Sequence, residues 1–319
     1  MDDSILTFVR SIHIPSCRIQ NTPQLIFLCG GALGEKRRYE SARDYFHRYV
    51  KLNTPALAKR IRLAETINNW FDNDLFADLL QVEEFLADVS DLTLLFVESP
   101  GSIAELGAFA ASDVLRPKTL AVINTAHGRT RSFIADGPVR RIKKADDGLV
   151  FYWEWDTKKL NSEQTLREFA SMSRELVALI EARRRTTAVT PLLSPQSHGH
   201  TMLLVADLIS IIGITFITEL QTCLAELGFE ADRALLQRYL SLLEHLELIT
   251  QKLRRSQTYY MGPRRPYSPF IQLDFTPGFT GARDRARITS LIRNFLLSTD
   301  KRRADLLRQE IEDRSPRTR

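Results

Sequence analysis

The chain has 319 residues, 44% of them apolar and 26% charged, and a formal net charge of +5. That length exceeds the needs of one compact core, and the composition excludes a mainly disordered chain, so two folded domains are expected. The charge is uneven: from Gln251 onward 16 Lys and Arg face 7 Asp and Glu, a net +9 that leaves −4 for residues 1–250. The basic end is the part suited to meet a polyanion.

The opening "MDDSILTFVR" is acidic and no apolar run follows it, which predicts a cytoplasmic protein. The longest apolar stretch, "MLLVADLISIIGITFI" from Met202, is interrupted by Asp207 and Gly213 and is short for a bilayer. It reads as a buried helix pair, and no membrane partner is expected. Cys17, Cys29 and Cys223 are too scattered for a disulfide framework or a zinc site. His198 and His200 in "SHGH" read as solvated loop histidines, so neither a metal nor a bound cofactor is expected.

"QLIFLCGG", residues 24–31, is an apolar run ending in two glycines, followed by the polar helical pattern "EKRRYESARDYFHRYV". This predicts strand, tight turn, helix. "RIRLAETI" is a candidate second strand. In "NDLFADLLQVEEFLADVS", Leu75, Leu79, Val82, Leu86 and Val89 recur at helical steps and predict an amphipathic helix. Then come "DLTLLFV" as a buried strand, "SIAELGAFAAS" as a helix, "TLAVIN" and "LVFYWEW" as strands, and "SEQTLREFASMSRELVALIEARRR" as a helix. Strands alternating with helices, with continuous apolar strands, predict an α/β domain with a doubly wound parallel sheet over residues 1–185.

Residues 186–200, "TTAVTPLLSPQSHGH", read as a linker. Residues 201–319 form the second domain. Helices are predicted near 201–213, 215–227 and 231–246, then a hairpin within "LELITQKLRRSQTYYMGP", an order that predicts a mainly α, winged helix-turn-helix-like domain. "ITSLIRNFLLSTDKRRADLLRQEIEDR" predicts one more helix with a frayed, charged end.

In an open α/β sheet, ligands bind beyond the carboxyl ends of the strands, where adjacent loops diverge. Gly30 and Gly31 follow one strand there and Glu98 another. The glycines read either as a bare tight turn or as a place where phosphate or ribose approaches backbone N–H groups; "GGALGEK" has neither the P-loop nor the dinucleotide-fingerprint spacing. Ser102-Ile103-Ala104-Glu105 has two readings. As S-x-x-E it is a capping box, with Ser102 the N-cap and Glu105 reaching back. Alternatively Glu105, in the first turn of a helix whose dipole favours its ionised form, attacks an anomeric carbon or stabilises an oxocarbenium ion. Glu98 reads as a contact to ribose hydroxyls or as a bond within its own turn. Asp72, Asp74 and Asp91 are further acidic candidates, each with a helix-start or strand-lead alternative. Arg131, Ser132 and Arg140 in "RTRSFIADGPVRR" read as a phosphate grip or as a solvated basic loop.

"IFLCGG", "FVESPGSIAELGAF" and "RSFIADGPVR", in that order, resemble the effector proteins of type II retrons. In these anti-phage systems the N-terminal domain is similar to nucleoside 2-deoxyribosyltransferases and the C-terminal domain is winged-helix-like. The resemblance spans roughly Leu25 to Arg141 by motif and the remainder by domain order. It implies that Glu105, in "AELGAF", is the nucleophile at the ribose C1′, with Gly30, Gly31, Glu98, Ser102, Asp72 and Asp74 around the substrate. It implies an N-glycosidase for which NAD or a related nucleotide is substrate rather than cofactor. It also implies a toxin held in a higher-order assembly by the retron reverse transcriptase and its multicopy single-stranded DNA and RNA. Deoxyribosyl transfer between bases, and a non-catalytic DNA-bound nucleotide sensor, are the competing functions.

The candidate wing, "QKLRRSQTYYMGPRRPY", carries Arg254, Arg255, Arg264 and Arg265 with Tyr259, Tyr260 and Tyr267. Arginine attracts phosphate and tyrosine offers unpaired bases a stacking face. A protein-docking surface is the alternative.

Overall fold

The computed structural model describes residues 3–35, 37–65, 75–125, 131–186, 190–263 and 267–314. The chain forms two compact units: Thr22–Val189, and Met1–Asn21 together with Thr190–Arg319. The break therefore differs from the expected 1–185, 186–200 and 201–319. The helix Asp3–Ser11 and the strand β1 (Arg18–Ile19) belong with the C-terminal unit. The expected linker is partly structured there: Ile19 N–H donates to Pro191 O at 2.9 Å, and Leu193 N–H to Cys17 O at 2.9 Å.

The first unit is built on a five-stranded sheet in the order β3-β2-β4-β5-β6, parallel throughout. The strands are β2 (Ile26–Cys29), β3 (Ile61–Leu63), β4 (Leu92–Val97), β5 (Thr119–Asn124) and β6 (Val150–Trp153). β2, β4 and β5 are buried at every position, which explains why they read as unbroken apolar runs instead of alternating ones. Register is set by Cys29 opposite Leu95 and Val97 opposite Ile123. The helix Ala42–Asn53 packs on Glu163–Thr186, and Pro100–Ala111 packs on the segment Ala135–Val139 and the helix Arg140–Ala145. Residues 37–40, expected to open the helix after β2, lie outside it, because Ser41 takes the N-cap and accepts from Asp44 N–H at 2.9 Å.

In the second unit the helices His198–Ile212, Ile217–Glu226 and Arg233–His245 precede a hairpin of β8 (Thr250–Arg254) and β9 (Gln257–Met261). A short strand β7 (Ile214–Thr215) joins the hairpin as an edge, giving the order β7-β9-β8. The apolar run after Met202 is thus one helix, a turn and a strand. Gly213 makes that turn with φ +90°, a region glycine enters freely. β1 pairs antiparallel with β10 (Ile271–Gln272). His198 and His200 sit in the first turn of their helix, where His198 Nδ1 is 2.6 Å from the Tyr239 hydroxyl and His200 Nδ1 accepts from Ser194 N–H at 3.1 Å. They are not loop histidines. All three cysteines are buried, and none is in a disulfide.

The charged C-terminal stretch forms two helices, Arg285–Thr299 and Lys301–Arg314. Asp300 separates them: its N–H closes the first helix on Leu296 O at 2.9 Å, and its carboxylate accepts from the Arg302 and Arg303 N–H groups at 3.0 and 3.1 Å. Acting as the C-cap of one helix and capping the next, it turns a single helical pattern into a corner.

Two buried ion pairs fix this unit. Asp207, 1% exposed, accepts from Arg285 at 2.9 Å and from the Ile271 N–H at 2.9 Å, which binds the β10 region to the His198–Ile212 helix. Arg303 donates two bonds to Glu219, at 3.0 and 3.1 Å, and Thr215 Oγ1 donates to the same carboxylate at 2.6 Å. Glu219 is 1% exposed, so removing Arg303 leaves a charge with no water to turn to. Arg303→Met is expected to destabilise this unit by about 3 kcal/mol, in the range for breaking one side of a buried pair. Denaturant titration of the full chain checks it; an unchanged transition would show that Glu219 is stable without its partner.

Candidate active site

The strand order reverses between β2 and β4, so the loops leaving these strands diverge and open a crevice at their carboxyl ends. Gly30 and Gly31 leave β2 here, and Glu98 leaves β4. Both glycines are required by close approach. Gly30 has φ +137°, and a Cβ there would stand 2.7 Å from the Phe96 carbonyl oxygen. At Gly31 a Cβ would meet Glu98 Oε1 at 2.8 Å.

The Glu98 carboxylate accepts from the Ala42 N–H at 2.8 Å and the Arg43 N–H at 3.0 Å. A carboxylate thus fills the helix N-terminus where a bound phosphate would be favoured. The expectation of a phosphate at this turn, or of ribose hydroxyls on Glu98, meets an anchor that already has both oxygens engaged. Burial pushes the Glu98 carboxyl up, and the backbone bonds from Arg43 and Ala42 pull it back down.

The helix that carries Glu105 begins at Pro100, with Ser99 as N-cap. Ser99 Oγ accepts from Ser102 N–H at 3.1 Å, and Ser102 Oγ accepts from Ser99 N–H at 2.8 Å and from Glu98 N–H at 2.9 Å. The capping box is therefore Ser99 with Ser102, three residues earlier than the S-x-x-E pattern predicts, because Pro100 suits the first helical position. Ser102 is 1% exposed and its hydroxyl serves the cap. Glu105 takes no part in that box. It lies in the second turn, beyond the reach of the dipole effect expected of it.

Glu105 is half-buried, and its Oε2 is buried with no hydrogen-bond partner among the described residues. Burial raises its carboxyl above the usual range, while the Arg43 guanidinium pulls it down. Arg43, 1% exposed, donates to Leu28 O at 2.8 Å, to Gly31 O at 3.0 Å and to both oxygens of Glu65, one at 2.6 Å. Its field replaces the helix dipole as the influence favouring an ionised Glu105.

A further carboxyl escapes the sequence reading. Glu83 lies in the helix Leu79–Val89 and is 9% exposed. Burial, and then the negative charge of Glu105, push its carboxyl up to about 8. The fully buried Cys29 thiol is raised by burial, then by Glu105 and Glu83, which places all three side chains in one neighbourhood. The Glu83 helix is held at both ends: Asp78 caps it by accepting from Gln81 N–H, and Lys118 Nζ donates to the Ala87 and Asp88 carbonyls at 2.9 and 2.8 Å.

Other candidates fall elsewhere. Asp91 sits at the amino end of β4, away from the crevice, accepting from Thr22 Oγ1 at 2.5 Å and lying 3.6 Å from Arg60. Asp72 and Asp74, like Arg264 and Arg265, lie outside the described residues. Arg131 is 96% exposed and 3.7 Å from Asp136, Ser132 Oγ accepts from Ala135 N–H at 3.2 Å, and Arg140 is exposed. Arg254 and Arg255 are exposed on the hairpin, but Tyr259 and Tyr260 are each 9% exposed, and Tyr267 stacks on Phe270 and donates to Ala206 O at 2.9 Å. Tyr259 and Tyr260 are largely packed and Tyr267 is half-buried, so little aromatic surface is left for a base. Among the described residues no group of three His, Cys, Asp or Glu is placed to hold a metal, and no helix is long and apolar enough to cross a membrane.

Comparison with known proteins returns relatives whose names pair a glycosyl-transfer activity with DNA binding. One, from the Escherichia coli retron Ec86, is provisionally named a ribosyltransferase/DNA-binding protein and is 34% identical over 134 residues. A second, from the Escherichia coli retron Ec73, carries the same provisional description and is 33% identical over 126 residues. The first alignment covers 39% of this chain and the second 38%, and each covers 39% of the relative's own length. A family model described as STM3845 retron effector protein matches residues 39–251, more than half of the chain, and the chain belongs to that family.

Proposed function

We propose that the chain is an anti-phage effector that breaks the N-glycosidic bond of NAD or a related nucleotide, with Glu105 as the attacking carboxylate. The observation that carries this reading is the Glu105 carboxylate itself: half-buried beside the point where the strand order reverses, with Oε2 buried and unpartnered among the described residues. A carboxylate left without a donor is available to a carbon that turns cationic. Its oxygen forms a bond to C1′ as the bond from C1′ to the base nitrogen breaks; water then displaces the carboxylate and leaves the rest of the nucleotide with a hydroxyl at C1′, which from NAD is ADP-ribose. A nicotinamide leaving group departs neutral from a cationic ring and takes no proton, so the first step needs no acid. In the second step Glu105 leaves as a carboxylate and the attacking water loses a proton to solvent; Glu83, which keeps its own proton up to about pH 8, accepts it only where it is ionised.

The helix, strand, helix, helix, hairpin order of residues 198–261 supports a winged-helix reading of the second unit. The retron effector family and the relatives' retron names support association with retron components; the partners proposed are the reverse transcriptase and multicopy single-stranded DNA with its RNA, in a higher-order oligomer. Deoxyribosyl transfer shares the same nucleophile, and an added acceptor base distinguishes it.

Because Glu105 lies outside the capping box, Glu105→Gln is expected to abolish base release while changing stability by no more than about 1 kcal/mol. Release of nicotinamide from NAD by the purified chain, free of partners, measures this. A folded variant that still turns over would end the assignment. Glu98→Ala is expected to do the opposite: it frees two helix N–H groups and costs on the order of 1–2 kcal/mol, seen as a lowered melting temperature.

Glu83 predicts a pH dependence. Its carboxyl keeps a proton in the folded protein up to about pH 8, whereas an unfolded glutamate loses it near 4.5. The folded state binds the extra proton between those values, so its contribution to stability is full below 4.5 and is lost as pH rises toward 8. Glu83→Gln is expected to flatten that decline, measured by denaturant titration from pH 5 to pH 9. An unaltered pH–stability curve would show that Glu83 ionises normally.

A further inference from the structure

Packing of Tyr259 and Tyr260, and of one face of Tyr267 on Phe270, changes what the basic second unit offers. With little tyrosine surface left, guanidinium is the charged group exposed on the hairpin. Arg254 and Arg255, at the tip of the β8–β9 hairpin, share a groove of about 240 Å³ with Arg302, from the first turn of the Lys301–Arg314 helix. All three are exposed, and among the described residues none has a carboxylate partner. The acid in that groove, Asp305, lies 3.8 Å from Arg308. Asp300 is bonded to Arg303 at 3.1 Å. A second, wider groove shares Arg302 and adds Lys301, which prolongs the cationic surface along the helix start.

The hairpin tip carries a second indication. Arg255 has φ +57°, the left-handed position where a two-residue turn favours Asn or Gly. An arginine there gives up backbone stability and holds its charge at the outermost point of the turn.

We propose that Arg254, Arg255 and Arg302 form a clamp for the sugar–phosphate backbone of a nucleic acid, binding without regard to base sequence. The proposal rests on the reading of the second unit as a nucleic-acid contact and names the groove that makes it. Planar guanidinium forks match phosphate oxygens, and a track continuing from one groove into the next suits a polymer of phosphates better than a single anion. Tyr259 also lines this groove but is only 9% exposed, so stacking, one source of base preference, contributes little beside the guanidinium contacts.

The experiment titrates the full chain with a single-stranded DNA of about twenty nucleotides at several salt concentrations, for wild type and for Arg254→Ala/Arg255→Ala/Arg302→Ala. A second triple variant, Arg233→Ala/Arg283→Ala/Arg287→Ala, removes the same charge from exposed positions outside the grooves. At about 0.7 per phosphate contact on a single strand, the clamp variant is expected to shallow the log–log salt slope by about 2 and to weaken binding at least about tenfold at low salt. The second variant is expected to keep the wild-type slope, and a thymidine homopolymer to bind as tightly as a mixed sequence. Equal loss in both variants, or none in the clamp variant while wild type still binds, would overturn the groove and leave the nucleic-acid reading intact. Wild type that binds no oligonucleotide would overturn both. Polyglutamate bound as tightly as DNA would make the surface an acidic-protein dock, and binding of inorganic phosphate alone would make it a small-anion pocket; either result refutes the clamp.

Discussion

The first unit depends on one buried guanidinium. Arg43 is 1% exposed, and a charge so placed persists only when acceptors surround it. Those acceptors come from three places: the Leu28 carbonyl of β2, the Gly31 carbonyl of the turn after it, and the Glu65 carboxylate beyond β3. The backbone N–H of the same residue reaches a fourth, the Glu98 carboxylate beyond β4. One residue therefore gathers what leaves the carboxyl ends of three adjacent strands, and it does so beside Glu105. Lysine has no planar fork to meet several fixed acceptors at once, so the position is specific to arginine.

Around that centre, legibility in the sequence follows burial. Central strands covered on both faces must be continuously apolar, and "IFLC", "LTLLFV" and "TLAVIN" are recognisable for that reason. The contacts that place residues 1–21 with the far end of the chain leave no comparable trace. They are backbone bonds between β1 and β10 and to the 190–193 segment, which any side chain permits. The break at Asp300 was equally hidden, since a helical pattern runs unbroken through it and only the direction of the Asp300 carboxylate decides that two helices meet there.

Buried charges are the other illegible class. Arg43 and Glu83 look like surface residues in their own windows. For Glu83 a faint signal exists: at roughly 100° per residue it falls between Leu79 and Ala87 on the helix, while Glu84 and Asp88 fall on the opposite side. A carboxylate on the apolar flank of an amphipathic helix is a candidate for a shifted group before any coordinates are known. Glu105 was legible by motif, yet its local reading was displaced. Pro100 at the first helical position assigns the cap to Ser99, and that single step releases Glu105 from the structural role its spacing advertised.

The charge of the proposed site also bears on when it works. With Glu105 ionised, as attack on C1′ requires, Glu105 and Glu65 bring two negative charges against the one positive charge of Arg43, and the Glu98 carboxyl is bonded by helix amides. With Glu83 protonated near neutral pH, the balance is about one negative charge. A nucleotide arrives as an anion, so this balance does nothing to hold its phosphates; what it favours is the positive charge that grows on the ribose ring as the glycosidic bond lengthens. For the proposed reaction such a charge balance is complementary to the transition state in preference to the substrate, and only interactions stronger in the transition state accelerate the step. Binding energy for the rest of the nucleotide has to come from groups beyond these carboxylates. Truncating the substrate away from the reacting carbon would then weaken its binding without altering the charge balance at C1′.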